Sequence, residues 1–298
     1  MVVALALPLV VPAIITAVLW LLPGDPAEII CPPEICDGTE ALAASFGLDK
    51  GPAQFYLRWI TSAARGELGN SWRIMQGFPV AELIWESLPT TALLALMALV
   101  PLTFGGVAAA LGWLSSRLDA VWQAVGLAPA VILALVCAAF VEINFGARSY
   151  DGVAGWLRLG LGAGVLALAD GALAATVMGT RASFEEEVKQ RYIQIARLRG
   201  ESAVANALPN LLPALVGQTR ARVLHILSGT VVVEVVLGIP GLGELLFDGT
   251  LAQDFGVVLA ATWAFSLLSA LLLLGQAGVE VAVALWVRRA PRLAELPA

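Results

Sequence analysis

One histidine, three cysteines and two lysines in 298 residues leave little material for catalysis. His225 stands near the start of an apolar run without a Ser or Cys partner, which favours a packed or interfacial histidine over a base. HExxH and GxSxG patterns are both absent. The two lysines sit in DKG at Lys50 and VKQ at Lys189, so no G-x-x-x-x-G-K-[ST] loop exists to cradle a nucleotide phosphate. Any ATP chemistry must come from another subunit. Three cysteines are too few for a disulfide scaffold or a cluster, and a formal charge of -6 offers no basic face for nucleic acid. No catalytic or metal-binding set emerges. What the chain has in excess is apolar surface: 59% hydrophobic residues, 13% charged ones and a mean hydropathy of +0.85. A single water-soluble core of this length cannot hide that much, so the chain belongs in a bilayer.

A span needs roughly 20 apolar residues. Six segments qualify by where the charges stop: Val2 to Leu22, a stretch within Leu88 to Ser115, another within Ala120 to Val141, Leu159 to Thr180, Val223 to Leu237, and Phe255 to Val287. The first lacks a basic n-region and an A-x-A site, which favours an uncleaved anchor over a signal peptide. The fourth is interrupted by Asp170, the fifth holds His225 and Glu234, and the sixth holds Glu280. Arg117, the seven basic residues between spans four and five, and Arg288, Arg289 and Arg292 all fall on one side of such a chain. Basic residues stay preferentially in the cytoplasm, so both termini are expected there.

The opposite side includes residues 25 to 86, where four basic residues face nine acidic ones. This external cap, residues 23–87, separates the first span, residues 1–22, from a core of residues 88–298. An amphipathic helix is expected near Gln54 to Ala64, with Phe55, Trp59 and Ala63 on one face. Cys31 and Cys36 lie in CPPEIC; an oxidising exterior would let them bridge, whereas the two prolines can hold them beyond disulfide reach as free thiols. Cys137 reads as ordinary packing.

Residues 181–222 form a cationic loop between spans four and five. Phe184, Val188, Tyr192 and Ile195 recur at helical spacing, which predicts one amphipathic helix stopped by Gly200. A second short helix is expected from Ser202, with Pro209 and Pro213 marking its exit toward the membrane. By pattern alone the element could rest on lipid headgroups or on a protein. Acids inside spans are costly and usually face a bundle interior, water or a partner. Asp170 and Glu234 are therefore candidates to face a water-filled path or a partner within the bundle, with a structural hydrogen bond as the alternative. Glu280 sits nearer the cytoplasmic end, where snorkelling or local pairing is the default. Pro240, Gly241 and Gly243 form a PGLG turn in which the glycines are expected to accept positive φ.

The loop resembles the integral membrane subunits of ATP-binding cassette (ABC) importers. Their E-A-A, three residues, G, nine residues, I-x-L-P signature falls in register on Gln194, Ile195, Ala196, Gly200 and Asn210 to Pro213, with Leu212 and Pro213 closing it. YIQIARLRG, Tyr192 to Gly200 and including Arg197, is similar to a peptide-permease motif. LPGDPA, FGLDK, RGELGNSWR, PVAELIWESLPTTALL and VVVEVVLGIPGLGELL follow in the family's order, the last placing Glu234 on a family acid. Gln194 stands where the general signature has glutamate, and the stretch from Glu201 to Asn210 is nearly uncharged. The region between spans three and four is shorter than the family's.

The resemblance implies an all-α membrane protein of six transmembrane helices, of the type I importer permease kind, with an external cap and a cytoplasmic coupling helix. It implies two cytoplasmic ATPase subunits that bind ATP and Mg, a second permease subunit, an extracytoplasmic solute-binding protein and an outer-gate role for the PGLG turn. Bacterial inner membrane is the implied location. Peptides are the implied cargo, with nickel or another small solute as the alternative; a self-contained secondary transporter would need its own pathway, and no inverted repeat is evident.

Overall fold

The computed structural model describes residues 2–21, 27–28, 39–146, 150 and 152–289. Cys31 and Cys36, the pair considered for a bridge, lie outside the described residues. The helices are α1 (Val2–Leu21), α2 (Thr39–Phe46), α3 (Pro52–Ala63), α4 (Val80–Ala110), α5 (Asp119–Gly126), α6 (Ala130–Phe145), α7 (Gly152–Leu168), α8 (Ala172–Val188), α9 (Arg191–Leu198), α10 (Ala203–Leu237), α11 (Leu242–Leu251) and α12 (Phe255–Arg289). Among the described residues there is no strand beyond a single bridge between Asn70 and Pro79. Among the described residues, four stretches are long and apolar enough to cross a membrane: Ala4–Leu21, Val80–Ala110, Gly152–Val188 and Phe255–Val287. Counting each of two bent pairs, α5 with α6 and Leu215–Leu237 with α11, as one span gives up to six among the described residues.

Three expected spans change shape. The third is not straight: α5 and α6 meet at 83° across Leu127 to Pro129. Pro129 adopts extended backbone and cannot continue α5, which forces the bend. The fourth breaks at Ala169–Gly171, where Asp170 has φ 51 and Gly171 φ 71. Gly126 approaches that break so closely that a Cβ on it would lie 2.7 Å from the Gly171 Cα. Pro209 and Pro213 do not end a short helix either; α10 runs through both for 35 residues.

The chain forms two compact units. One comprises Met1–Leu93 and Glu234–Leu271, the other Leu94–Val233 and Leu272–Ala298. In the first, α3 buries Phe55 and Ala63 and half-buries Trp59, the face its spacing predicted. Phe55 joins Leu19 of α1, Leu48, Trp72 and Leu259 of α12 in one apolar cluster. Asp254 fastens this cap. Its carboxylate accepts the Ser71 hydroxyl at 2.5 Å and the backbone N–H groups of Trp72, Arg73 and Ile74 at 2.9–3.0 Å. It also accepts the Val257 N–H at 3.2 Å, inside the first turn of α12. Burial pushes the Asp254 carboxyl up, but these donors outweigh it and hold the group below the usual carboxylate range.

In the second unit, α6 packs on α7 and α5 packs on α8. Arg181 of α8 reaches Asp119 at the start of α5 at 2.5 Å and donates to the Leu114 carbonyl at 2.9 Å. Both charged side chains are mostly buried, so this pair is screened less than a surface one.

Candidate functional site

The coupling candidates gather at α9, but not as one continuous amphipathic helix. α8 continues to Val188, its last turn tightened by Lys189 N–H to Glu186 and Gln190 N–H to Glu187 bonds. Gln190 then adopts extended backbone (φ -65, ψ 143) and opens α9 as a separate element. That break rotates the expected stripe. Ile193 and Ala196 face inward, and Ile193 clusters with Ala207 and Leu211 of α10 against Phe184. Tyr192, Ile195 and Leu198 face outward, Leu198 at 88% exposure, with Gln194, Arg197 and Arg199 exposed beside them. An apolar ridge flanked by arginines is thus presented away from the protein.

Gly200 ends α9 as its position foretold. With φ 78 it donates to the Arg197 carbonyl, while Glu201 N–H reaches back to the Ala196 carbonyl at 2.9 Å. This is a Schellman closure, and it requires the left-handed backbone that glycine takes without penalty.

Glu187, which sequence reasoning missed, and Asn210, which it placed in the signature without a partner, hold α9 in place. The Tyr192 hydroxyl donates to the Glu187 carboxylate, and the Asn210 amide donates to Glu187 at 2.9 Å and to the Tyr192 oxygen at 2.7 Å. Glu187, Tyr192 and Asn210 thereby tie together the end of α8, α9 and the start of α10. Burial, with the Glu187 carboxylate alongside, pushes the Tyr192 phenol up to about 12. No helical periodicity could show this triad, because the break at Gln190 lies between Glu187 and Tyr192. Leu212 is half-buried and Pro213 exposed, both within α10.

The outer-turn candidates form a second site, in the other unit. Glu234 is fully buried near the end of α10 and meets the N-terminus of α11. Its Oε2 accepts the Gly243 N–H at 2.6 Å, and the Thr91 hydroxyl oxygen accepts the Leu242 N–H at 2.8 Å. Side chains from α10 and α4 thus cap α11, satisfying donors that a helix start leaves open. The Glu234 Oε1 has no hydrogen-bond partner among the described residues. The expected positive φ in PGLG is not found. Gly241 is extended (φ -119, ψ -176), and the left-handed residue is Gly238 at φ 60. Gly241 serves close approach instead: a Cβ there would lie 2.4 Å from the Glu234 carboxyl carbon. Gly243 is buried in the first turn of α11, and Pro240 is exposed.

Asp170 joins neither site. It is exposed on the break between α7 and α8, its N–H directed to the Ala128 carbonyl at 3.3 Å, rather than inside a straight span facing a bundle interior. Among the described residues no cluster of His, Cys, Asp and Glu could hold a metal ion.

Residues 102–284 match the family model of the binding-protein-dependent transport system inner membrane component. A glutathione transport system permease protein of Salmonella paratyphi A is 31% identical over 274 residues, covering 87% of each chain. A putative peptide transport system permease protein of Brucella abortus is 32% identical over 278 residues, covering 86% of this chain and 87% of its own. An oligopeptide transport system permease protein of Bacillus subtilis is 30% identical over 264 residues, covering 80% and 82% respectively. The chain therefore belongs to the binding-protein-dependent transport system inner membrane components, as a multi-pass permease subunit of an ABC importer.

Proposed function

We propose that the chain forms half of a translocation path for peptides, that α9 docks on a separate cytoplasmic ATPase, and that both termini are cytoplasmic. The exposed ridge of α9 carries this reading. Tyr192, Ile195 and Leu198 project apolar surface that the chain itself leaves uncovered, in a short helix fixed at both ends by hydrogen bonds. A stiff element of this kind can pass a rigid-body displacement of the ATPase into α8 and α10. The partner ATPase subunits would bind ATP and Mg, a second permease subunit would complete the path, and a solute-binding protein would deliver cargo at the outer mouth. Peptide cargo rests on the peptide, oligopeptide and glutathione permeases among the relatives.

The test is reconstitution with the subunits encoded beside it. The proposal expects co-purification with two ATPase subunits and ATP-dependent accumulation of a labelled di- or tripeptide in vesicles. Transport without an ATPase would refute the docking role, and failure to move any peptide while importing nickel would refute the cargo.

A further inference from the structure

Arg222, counted by sequence among the loop cations, lies inside α10, on the helical stretch Leu215–Leu237 that together with α11 forms a candidate bent span. A guanidinium within a span is costly unless it faces a partner, water or a ligand. It lines a cleft of about 190 Å³ within the second unit, between α4, α8 and α10. The polar groups of that cleft are Thr103, Thr176, Thr180, Gln218 and Arg222, the remainder being aliphatic or glycine.

The hydrogen-bond inventory of the cleft is one-sided. Thr103 and Thr176 donate to carbonyls of their own helices, Leu99 and Ala172, and Thr180 donates to the Gln218 Oε1 at 3.4 Å. The donors left facing the space are the Gln218 amide and the Arg222 guanidinium, four residues apart on one face of α10. The Arg222 Nε is buried, and no described residue accepts from it. No carboxylate lines the cleft. A half-buried cation with an enclosed Nε and an amide beside it, and with no acid to answer it, is built to receive an anionic oxygen pair.

We infer that Arg222, with Gln218, binds the carboxylate of the transported solute on its way through the membrane. The inference rests on the importer reading above and specifies the chemistry its path recognises. α10 supplies a reason for the placement. The same continuous helix carries Asn210 and Leu212 at the coupling element and Gln218 and Arg222 in the cleft, and Leu212 itself lines the cleft. A displacement of α9 therefore moves the anion-binding group directly. A lipid phosphate is the other anion available in a membrane, but the Arg222 Nε is enclosed by protein rather than open to lipid.

The experiment uses the assembled complex in nanodiscs, with native cysteines replaced and Thr103→Cys placing a thiol on the cleft wall. The probes are the anionic ethylsulfonate and the cationic ethyltrimethylammonium methanethiosulfonates. The anionic reagent should react faster by about tenfold, the enrichment a focused positive site gives. That preference should vanish in Arg222→Gln and persist in Arg222→Lys, a pair that separates lost charge from lost folding. Trialanine should protect the thiol, and its C-terminal amide should not. An unreactive thiol, a preference unchanged by Arg222→Gln, or equal protection by the amide would each overturn the inference. So would a preference abolished by adding phosphatidylglycerol to phosphatidylcholine discs, which would assign the site to lipid. A complex that imports peptides without the preference sinks the Arg222 assignment alone. One that keeps the preference but imports no peptide leaves the anion site standing and sinks the peptide cargo.

Discussion

Replacing Gly200 isolates backbone conformation from packing. The residue is held at φ 78, yet a Cβ built on it meets nothing within 4 Å, so substitution there adds no clash. The only penalty is the left-handed backbone, about 1 to 2 kcal/mol for an ordinary L-residue and toward the upper end for a β-branched one. Asparagine tolerates this region and should lose the least. Two linked bonds depend on the conformation, Gly200 N–H to Arg197 and Glu201 N–H to Ala196. A strained residue would unwind the last turn of α9, which carries Leu198, the most exposed residue of the ridge. A penalty of 1 to 2 kcal/mol lowers the population of the docked geometry by about 5- to 30-fold. Gly200→Val should therefore insert normally but fall in ATP-driven uptake by about that factor, with Gly200→Ala between it and Gly200→Asn. ATP hydrolysis and uptake are measured together on the same vesicles. Equal uptake by the Val, Ala and Asn variants at equal abundance would show that the Schellman closure does not control coupling.

Three further expectations concern the pieces that hold these sites. Asp254→Ala strips one acceptor from several backbone donors and should destabilise the cap by about 3 kcal/mol or more, read by thermal unfolding of the purified complex. Because the Asp254 carboxyl is held below its ordinary value, its contribution is present above the unfolded-state carboxylate value and is lost as pH falls through the lower folded one; Asp254→Asn should remove that acid limb from the melting profile. Gly241→Ala forces a methyl against the Glu234 carboxylate, so it should destabilise the α10–α11 turn by about 1 to 3 kcal/mol, and an unaltered melting temperature would contradict the close approach. Arg181→Gln leaves Asp119 and the Leu114 carbonyl without their charged donor; a loss of about 1 to 2 kcal/mol is expected, partly recovered by the added change Asp119→Asn in a double-mutant cycle.

Apolar run length and spaced motifs carried a large share of the architecture. The first and last spans, the cap helix with its Phe55 and Ala63 face, and the glycine that ends α9 were all legible, because each depends on local periodicity or on one residue's backbone preference. The errors share a cause. A period of four residues from Phe184 to Ile195 reads as one helix only if the chain continues through Gln190, and whether it does depends on Ile193 finding Ala207 and Leu211. Pro209 and Pro213 read as helix ends because proline lacks an N–H, yet α10 continues through both. Asp170, expected from its apolar neighbours to face a bundle interior, water or a partner, sits exposed on the break at Ala169–Gly171, which run length alone could not place.

Composition and motif order were enough, by themselves, to place the chain in a membrane and to bring Gly200 to the end of α9. They act through the bilayer and through φ, both of which are local constraints. Which groups meet across long sequence separations was decided only by tertiary structure: Asp254 with Ser71, Tyr192 with Asn210, Glu234 with the start of α11, and Arg222 with an acid-free cleft. Buried polar groups find partners in space and not in sequence, so no period or spacing could have paired them.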